Sequence, residues 1–97
     1  MVRKLVRYRV RSGQRGRVEE AVREFVRAVR KHEPRTAYQA NALAEDALSF
    51  VHYMEFPGPA EEARHREAEY TQRFVAVLVP LCAEAPHFED LEAIEPA

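Results

Sequence analysis

The apolar residues of this chain change period along its length, and the order of those changes narrows the possible folds to a few. In residues 2–11, VRKLVRYRVR, Val2, Lys4, Val6, Tyr8 and Val10 alternate with Arg3, Leu5, Arg7, Arg9 and Arg11. Strand side chains point alternately to opposite faces, so this segment reads as a strand with one apolar and one largely basic face. SGQRG at 12–16 supplies turn residues. From Arg17 to about His32 the period becomes helical: Val18, Ala21, Val22, Phe25, Val29 and His32 share one side, and Arg23, Arg27, Arg30 and Lys31 cover the other. Glu33-Pro34 ends the helix, because a residue before proline avoids the α region.

The second half repeats the sequence of periods. AYQANAL at 37–43 reads as a weaker strand and AEDA at 44–47 as a tight connection. Residues 48–56 alternate again, and Pro57-Gly58 stops them. Pro59 suits the first position of a helix, and Glu62 and Arg66 form an i,i+4 pair within it. Tyr70, Phe74, Val77, Leu78 and Leu81 continue that helix as an apolar stripe, with a kink or a final turn expected at Pro80. Residues 87–94, HFEDLEAI, have helical as much as strand-like spacing. They are read as a strand, since the first strand otherwise keeps a free edge.

The order β-α-β-β-α-β with right-handed crossovers predicts an α+β, ferredoxin-like sandwich over residues 1–97 as a single domain. Its antiparallel sheet would run 4-1-3-2, with the helices on one face. Residues 1–35 carry 12 Lys and Arg against 4 Asp and Glu, a balance of +8, and residues 36–97 carry 3 against 12, a balance of −9. Such a basic half can mark a nucleic-acid surface. The predicted topology instead sets Glu89, Asp90 and Glu92 beside Arg3, Arg7 and Arg9, which consumes the asymmetry internally. The sheet face away from the helices then carries Leu5, Val51, Tyr53 and Leu43. A chain of 97 residues gains little by leaving such a face in water, so a homodimer paired through the open sheet face is expected. No apolar run approaches membrane-spanning length, the start is threaded with charges unlike a signal peptide, and a lone Cys82 suits a reducing cytoplasm.

FVHYMEF, residues 50–56, poses the functional question. Phe50, His52, Met54 and Phe56 share one face, so an imidazole stands in an apolar row. Two readings are open. His52 is a core histidine bonded to a tyrosine hydroxyl or a carbonyl, or it is a base or hydrogen-bond donor facing a ligand. His52 and His65 are 13 residues apart, and neither an H-x-x-x-H nor a C-x-x-C is present, so no metal site is expected. FVHY also fits the end of the RNA-recognition motif's strand-three signature, but DALS stands where that signature needs a glycine and a basic residue. No nucleic acid and no membrane is therefore expected as a partner.

The chain resembles the antibiotic biosynthesis monooxygenase family, small dimeric α+β barrel proteins. The resemblance runs from RYRVRSGQRGRVEEAVREFV through the strand ending Glu55-Phe56, to His65 nine residues after Phe56, to Tyr70, and on to FVAVLVPL. It implies a pocket in each subunit between sheet and helices. Members include cofactor-free oxygenases of polycyclic aromatic compounds and haem-degrading enzymes. Where the oxygenases carry Asn and Trp on strand three, this chain has His52 and Phe56; it has no Trp and no Asn on its first strand. The function expected is a cofactor-independent monooxygenase acting on an aromatic or quinone-like small molecule, or else a non-catalytic dimeric ligand-binding or stress-associated protein. His52 and His65 are the catalytic candidates. Tyr38, Asn41, Phe50, Met54, Phe56, Tyr70 and Phe74 are the expected ligand-binding residues, and no cofactor is expected.

Overall fold

A computed structural model describes residues 1–95. The elements follow in the order β1 (Val2–Arg9), α1 (Arg15–His32), β2 (Ala37–Leu43), β3 (Asp46–Phe56), α2 (Pro59–Glu67), α3 (Glu69–Leu81) and β4 (His87–Leu91). The four strands form one antiparallel sheet ordered β2-β3-β1-β4, the ferredoxin-like arrangement that the periods predict. Between β1 and α1 the amide of Gln14 donates to the carbonyl of Arg11, closing a turn whose third residue, Gly13, has φ of 83°. That left-handed value is open to glycine at little cost and to few other residues.

Alternation decides which strand residues meet the helices. Val6, Tyr8, Phe50, His52, Met54 and Phe56 are buried on that side, and Val18, Phe25 and Val29 from α1 with Phe74, Leu78 and Leu81 from α3 close over them. Phe25 lies at the middle of this layer, stacked on Phe74 with centroids 4.4 Å apart. Each buried apolar side chain contributes roughly 1.5–3 kcal/mol relative to leaving it in water, which makes this layer the main source of stability.

Three features differ from the sequence expectation. The single helix expected from Pro59 onward is two, because Ala68 is extended (ψ 143°) and serves as C-cap of α2 and N-cap of α3. Its amide donates to the carbonyl of His65, and its own carbonyl accepts from the amide of Gln72. Pro80 falls in the last turn of α3, one of the two places expected for it. β4 stops at Leu91, and Ile94 is exposed rather than paired. Finally, β2 and β3 join through Ala44-Glu45, and a bulge beside Ala42 and Leu43 puts extra residues on β3. Asp46 holds that bulge together by accepting from the Leu48 amide and the Ser49 hydroxyl.

The charged strands pair as opposite signs, with partners only partly as expected. Arg7 meets Glu89, and Lys4 meets Asp90 at 2.5 Å, whereas Arg3 pairs with Glu55 on β3 and Arg9 with Asp46. On the face away from the helices Leu5, Val51 and Tyr53 are half-buried and Leu43 is exposed. Among the described residues, no helix is long and apolar enough to cross a membrane. The packing gives a direct expectation for urea unfolding. Phe25→Ala lowers stability by about 3–5 kcal/mol, while Val75→Ala on the outer side of α3, 41% exposed, changes it by less than about 0.5 kcal/mol.

Candidate functional site

Strand register brings two phenols onto one imidazole. On β3, His52 lies opposite Val6 of β1 and Ala40 of β2. Tyr8 lies two residues beyond Val6 and Tyr38 two residues before Ala40, so the tyrosines approach His52 along opposite diagonals of the sheet, a separation long side chains span. The Tyr8 hydroxyl is 2.7 Å from His52 Nε2, and the Tyr38 hydroxyl is 2.8 Å from His52 Nδ1. His52 itself is completely buried. Burial holds its pKa down at about 4, from the ordinary 6.5. A neutral imidazole has one N–H and one bare nitrogen. It therefore donates to one tyrosine oxygen and accepts from the other tyrosine's O–H. Burial likewise raises both phenols, so all three groups are uncharged at neutral pH.

A second polar group ties the helices together. Glu33, just past α1, accepts from His65 Nδ1 at 2.8 Å and from the Tyr70 hydroxyl on the same oxygen, and its other oxygen accepts from Thr36. His65 and Tyr70 are five residues apart, about 140° around a continuous helix, and could not converge on one carboxylate oxygen from such a helix. The break at Ala68 lets them do so. Burial and the bond to Glu33 raise the Tyr70 phenol, while His32 stacks on its ring at 5.4 Å.

The two polar groups meet through Tyr38, whose ring centroid is 5.6 Å from His52 and 5.7 Å from His65. Phe56 backs His65 at 4.9 Å, and Phe74 lies 6.1 Å from His52. Phe50 stacks on Tyr8, and Met54, opposite Tyr38, completes the buried row. His52, His65, Tyr38, Phe50, Met54, Phe56, Tyr70 and Phe74 thus belong to one layer. Asn41 does not. It stands at an odd step from Tyr38 on β2, is exposed, and donates to the carbonyl of Val51, although it also edges the α1–β2 groove that reaches Phe50.

Tyr8 and Glu33 are the polar members that motif reading passed over. Tyr8 could have been found, since it shares the apolar face of β1 with Val6. Nothing in the spacing of Glu33 marks it beyond its place before Pro34. The open space lies at the margin of this layer. A groove of about 360 Å³ between α1 and β2 is lined in part by Val22, Val26, Tyr38 and Ala40, and it adjoins one of about 240 Å³ that reaches Phe50. A smaller one of about 80 Å³ between α1 and α3 reaches Phe25, Tyr70 and Phe74. Tyr38 thus brings the Tyr8–His52–Tyr38 chain to the edge of a groove.

The buried imidazole gives two expectations. Tyr8→Phe strips a partner from a buried ring nitrogen and lowers stability by about 1–3 kcal/mol in urea unfolding. As pH falls, the unfolded chain protonates His52 near 6.5 and the folded chain only near 4. Stability from neutral His52 is thus full above about pH 6.5 and declines by about 3 kcal/mol toward pH 4. Glu19, Asp46 and Glu89, all held low by hydrogen bonds, lose stability over an overlapping acidic range in any variant. The quantity to measure is therefore the wild-type minus His52→Phe difference. If that difference does not change between pH 7 and pH 4.5, His52 is not held neutral by burial.

No family model and no curated protein matches this sequence. Solved structures do match its fold. A protein described as an antibiotic biosynthesis monooxygenase superposes with a TM-score of 0.90 at 22% identity, over 98% of this chain and 100% of that one. A candidate antibiotic biosynthesis monooxygenase from Nitrosomonas europaea gives 0.87 at 20%, covering 98% and 100%. A protein from Mycobacterium tuberculosis gives 0.88 at 15%, covering 99% and 97%. Each match spans nearly the full length of both chains, and the chain has the fold of the antibiotic biosynthesis monooxygenases.

Proposed function

We propose that this protein binds a phenolic or quinone-forming aromatic small molecule beside Tyr38 and oxidises it with O2 without a cofactor. The observation that carries this reading is the Tyr8–His52–Tyr38 chain, an uncharged hydrogen-bonded unit whose Tyr38 end lines a groove. With the imidazole proton on Nδ1, His52 donates to the Tyr38 oxygen and leaves the Tyr38 O–H free for a ligand oxygen. Such a donor stabilises an oxyanion as charge develops on the ligand. His52, at about 4, is too weak a base for the proton itself and acts as the positioning residue behind Tyr38. His65, oriented by Glu33, is the proposed proton acceptor. A substrate methylene loses its proton, the carbanion forms a C–O bond with O2, and loss of water from the peroxide leaves a carbonyl. The balance is CH2 + O2 → C=O + H2O.

The names of similar folds support this chemistry, and so does the layer of aromatic side chains around Tyr38. The expected homodimer is part of the same proposal. Leu5, Val51 and Tyr53 on the open sheet face, edged by the Arg3–Glu55 and Arg7–Glu89 pairs, suit a self-complementary contact. A second reading, binding without turnover, is favoured by the complete burial of His52.

Oxygen uptake and quinone formation from a hydroxyanthrone separate the two readings. The wild type should turn over, and Tyr38→Phe should lose about 10²–10³-fold in kcat, the scale of one lost oxyanion donor. Binding with no oxygen uptake would establish the second reading instead. Sedimentation should show a dimer, and Tyr53→Asp on the open face should shift it toward monomer.

A further inference from the structure

The groove that Tyr38 lines has a distinctive charge. Its α1 wall presents Arg23, Arg27 and Arg30, and its floor is Val22, Val26, Ala40 and the Tyr38 ring. Steps of four and three residues place those arginines on one side of the helix. Arg23 is engaged by Glu19 at 3.2 Å. Arg27 and Arg30 have no carboxylate partner among the described residues, although most of the chain's other strand and helix arginines do. Closely spaced like charges repel, and among the described residues no carboxylate lines this groove to offset them. The adjoining groove continues the apolar floor to Phe50, where Arg15 lies over the ring at 5.6 Å. An apolar floor closed on one side by unpaired guanidinium groups complements a flat apolar body that carries an anion. The volume, about 360 Å³, falls within the range of small-molecule sites, about 300–1,000 Å³.

We propose that the α1–β2 groove selects an anionic aromatic ligand, its carboxylate held by Arg27 and Arg30 and its ring laid against Val26, Ala40 and Tyr38. This rests on the reading that the ligand lies beside Tyr38, and adds the charge that the ligand carries. The cationic wall also favours the ionised form of a phenolic substrate, which a buried neutral histidine cannot generate.

Binding of 6-hydroxy-2-naphthoate and of uncharged 2-naphthol, followed by fluorescence, tests the assignment. The naphthoate should bind at least about tenfold more tightly than the naphthol, the scale of a charge-assisted hydrogen bond. High salt should weaken it, and the Arg27→Gln/Arg30→Gln variant should abolish the preference. Both positions are exposed, so the fold is not at risk, and Arg64→Gln, outside the groove, should bind like wild type. Equal binding of both probes in wild type and variant would overturn the anion assignment while leaving a ligand beside Tyr38. Binding of neither probe, with hydroxyanthrone turnover intact, would overturn the groove but not the chemistry; loss of both would overturn both. Arginine-dependent binding of a single-stranded oligonucleotide in preference to the naphthoate would also overturn it.

Discussion

An imidazole buried between two phenols sets the terms for the rest of this fold. A desolvated histidine nitrogen without a partner costs about 1–3 kcal/mol, and both nitrogens of His52 lie where water does not reach. Each partner comes from a different neighbouring strand, so β1 and β2 must both be in register with β3 at once. A slip of one residue on either strand would turn its tyrosine to the other face and leave a buried nitrogen bare. The Tyr8–His52–Tyr38 chain thus specifies the pairing of three strands that apolar alternation alone would fix less strictly. It also sets the charge of the site, since burial favours the neutral form of all three groups.

Glu33 does for the helices what His52 does for the strands. By accepting from His65 of α2 and Tyr70 of α3 it fixes both helices against the end of α1, and the extended Ala68 between them follows from that geometry. Tyr38 joins the two polar centres and reaches the groove edge. Any ligand in that groove therefore meets a side chain whose orientation depends on the sheet register and on the helix break together. This is how the packing of the whole domain bears on the proposed chemistry.

Much of this was legible in the sequence because period is a strong physical signal. The alternation in VRKLVRYRVR and FVHYMEF and the helical stripe from Val18 to Val29 determine element order, and handedness then determines the sheet order. The same alternation places Tyr8 beside His52, and it turns Asn41 away from the His52 face, since Asn41 stands an odd step from Tyr38. Other features had no local signal. Alanine at position 68 is a good helix former, and only contacts distant in sequence make it a helix boundary. The role of Glu33 is equally non-local, being set 32 and 37 residues away. The end of β4 at Leu91 was illegible because Phe88, Leu91 and Ile94 recur every three residues, a spacing that fits a helix and marks no single face of a strand.

The central claim is that His52 is a neutral imidazole held by Tyr8 and Tyr38, and nitrogen NMR of the histidine side chains across a pH titration tests it most directly. The His52 ring should show one N–H and one bare nitrogen from pH 7.5 down to pH 5, with its protonation midpoint near 4. In Tyr38→Phe the Nδ1 resonance should shift while Nε2 keeps its bond to Tyr8. A His52 that titrates near the ordinary 6.5, or whose resonances are unmoved by loss of either phenol, would contradict the account.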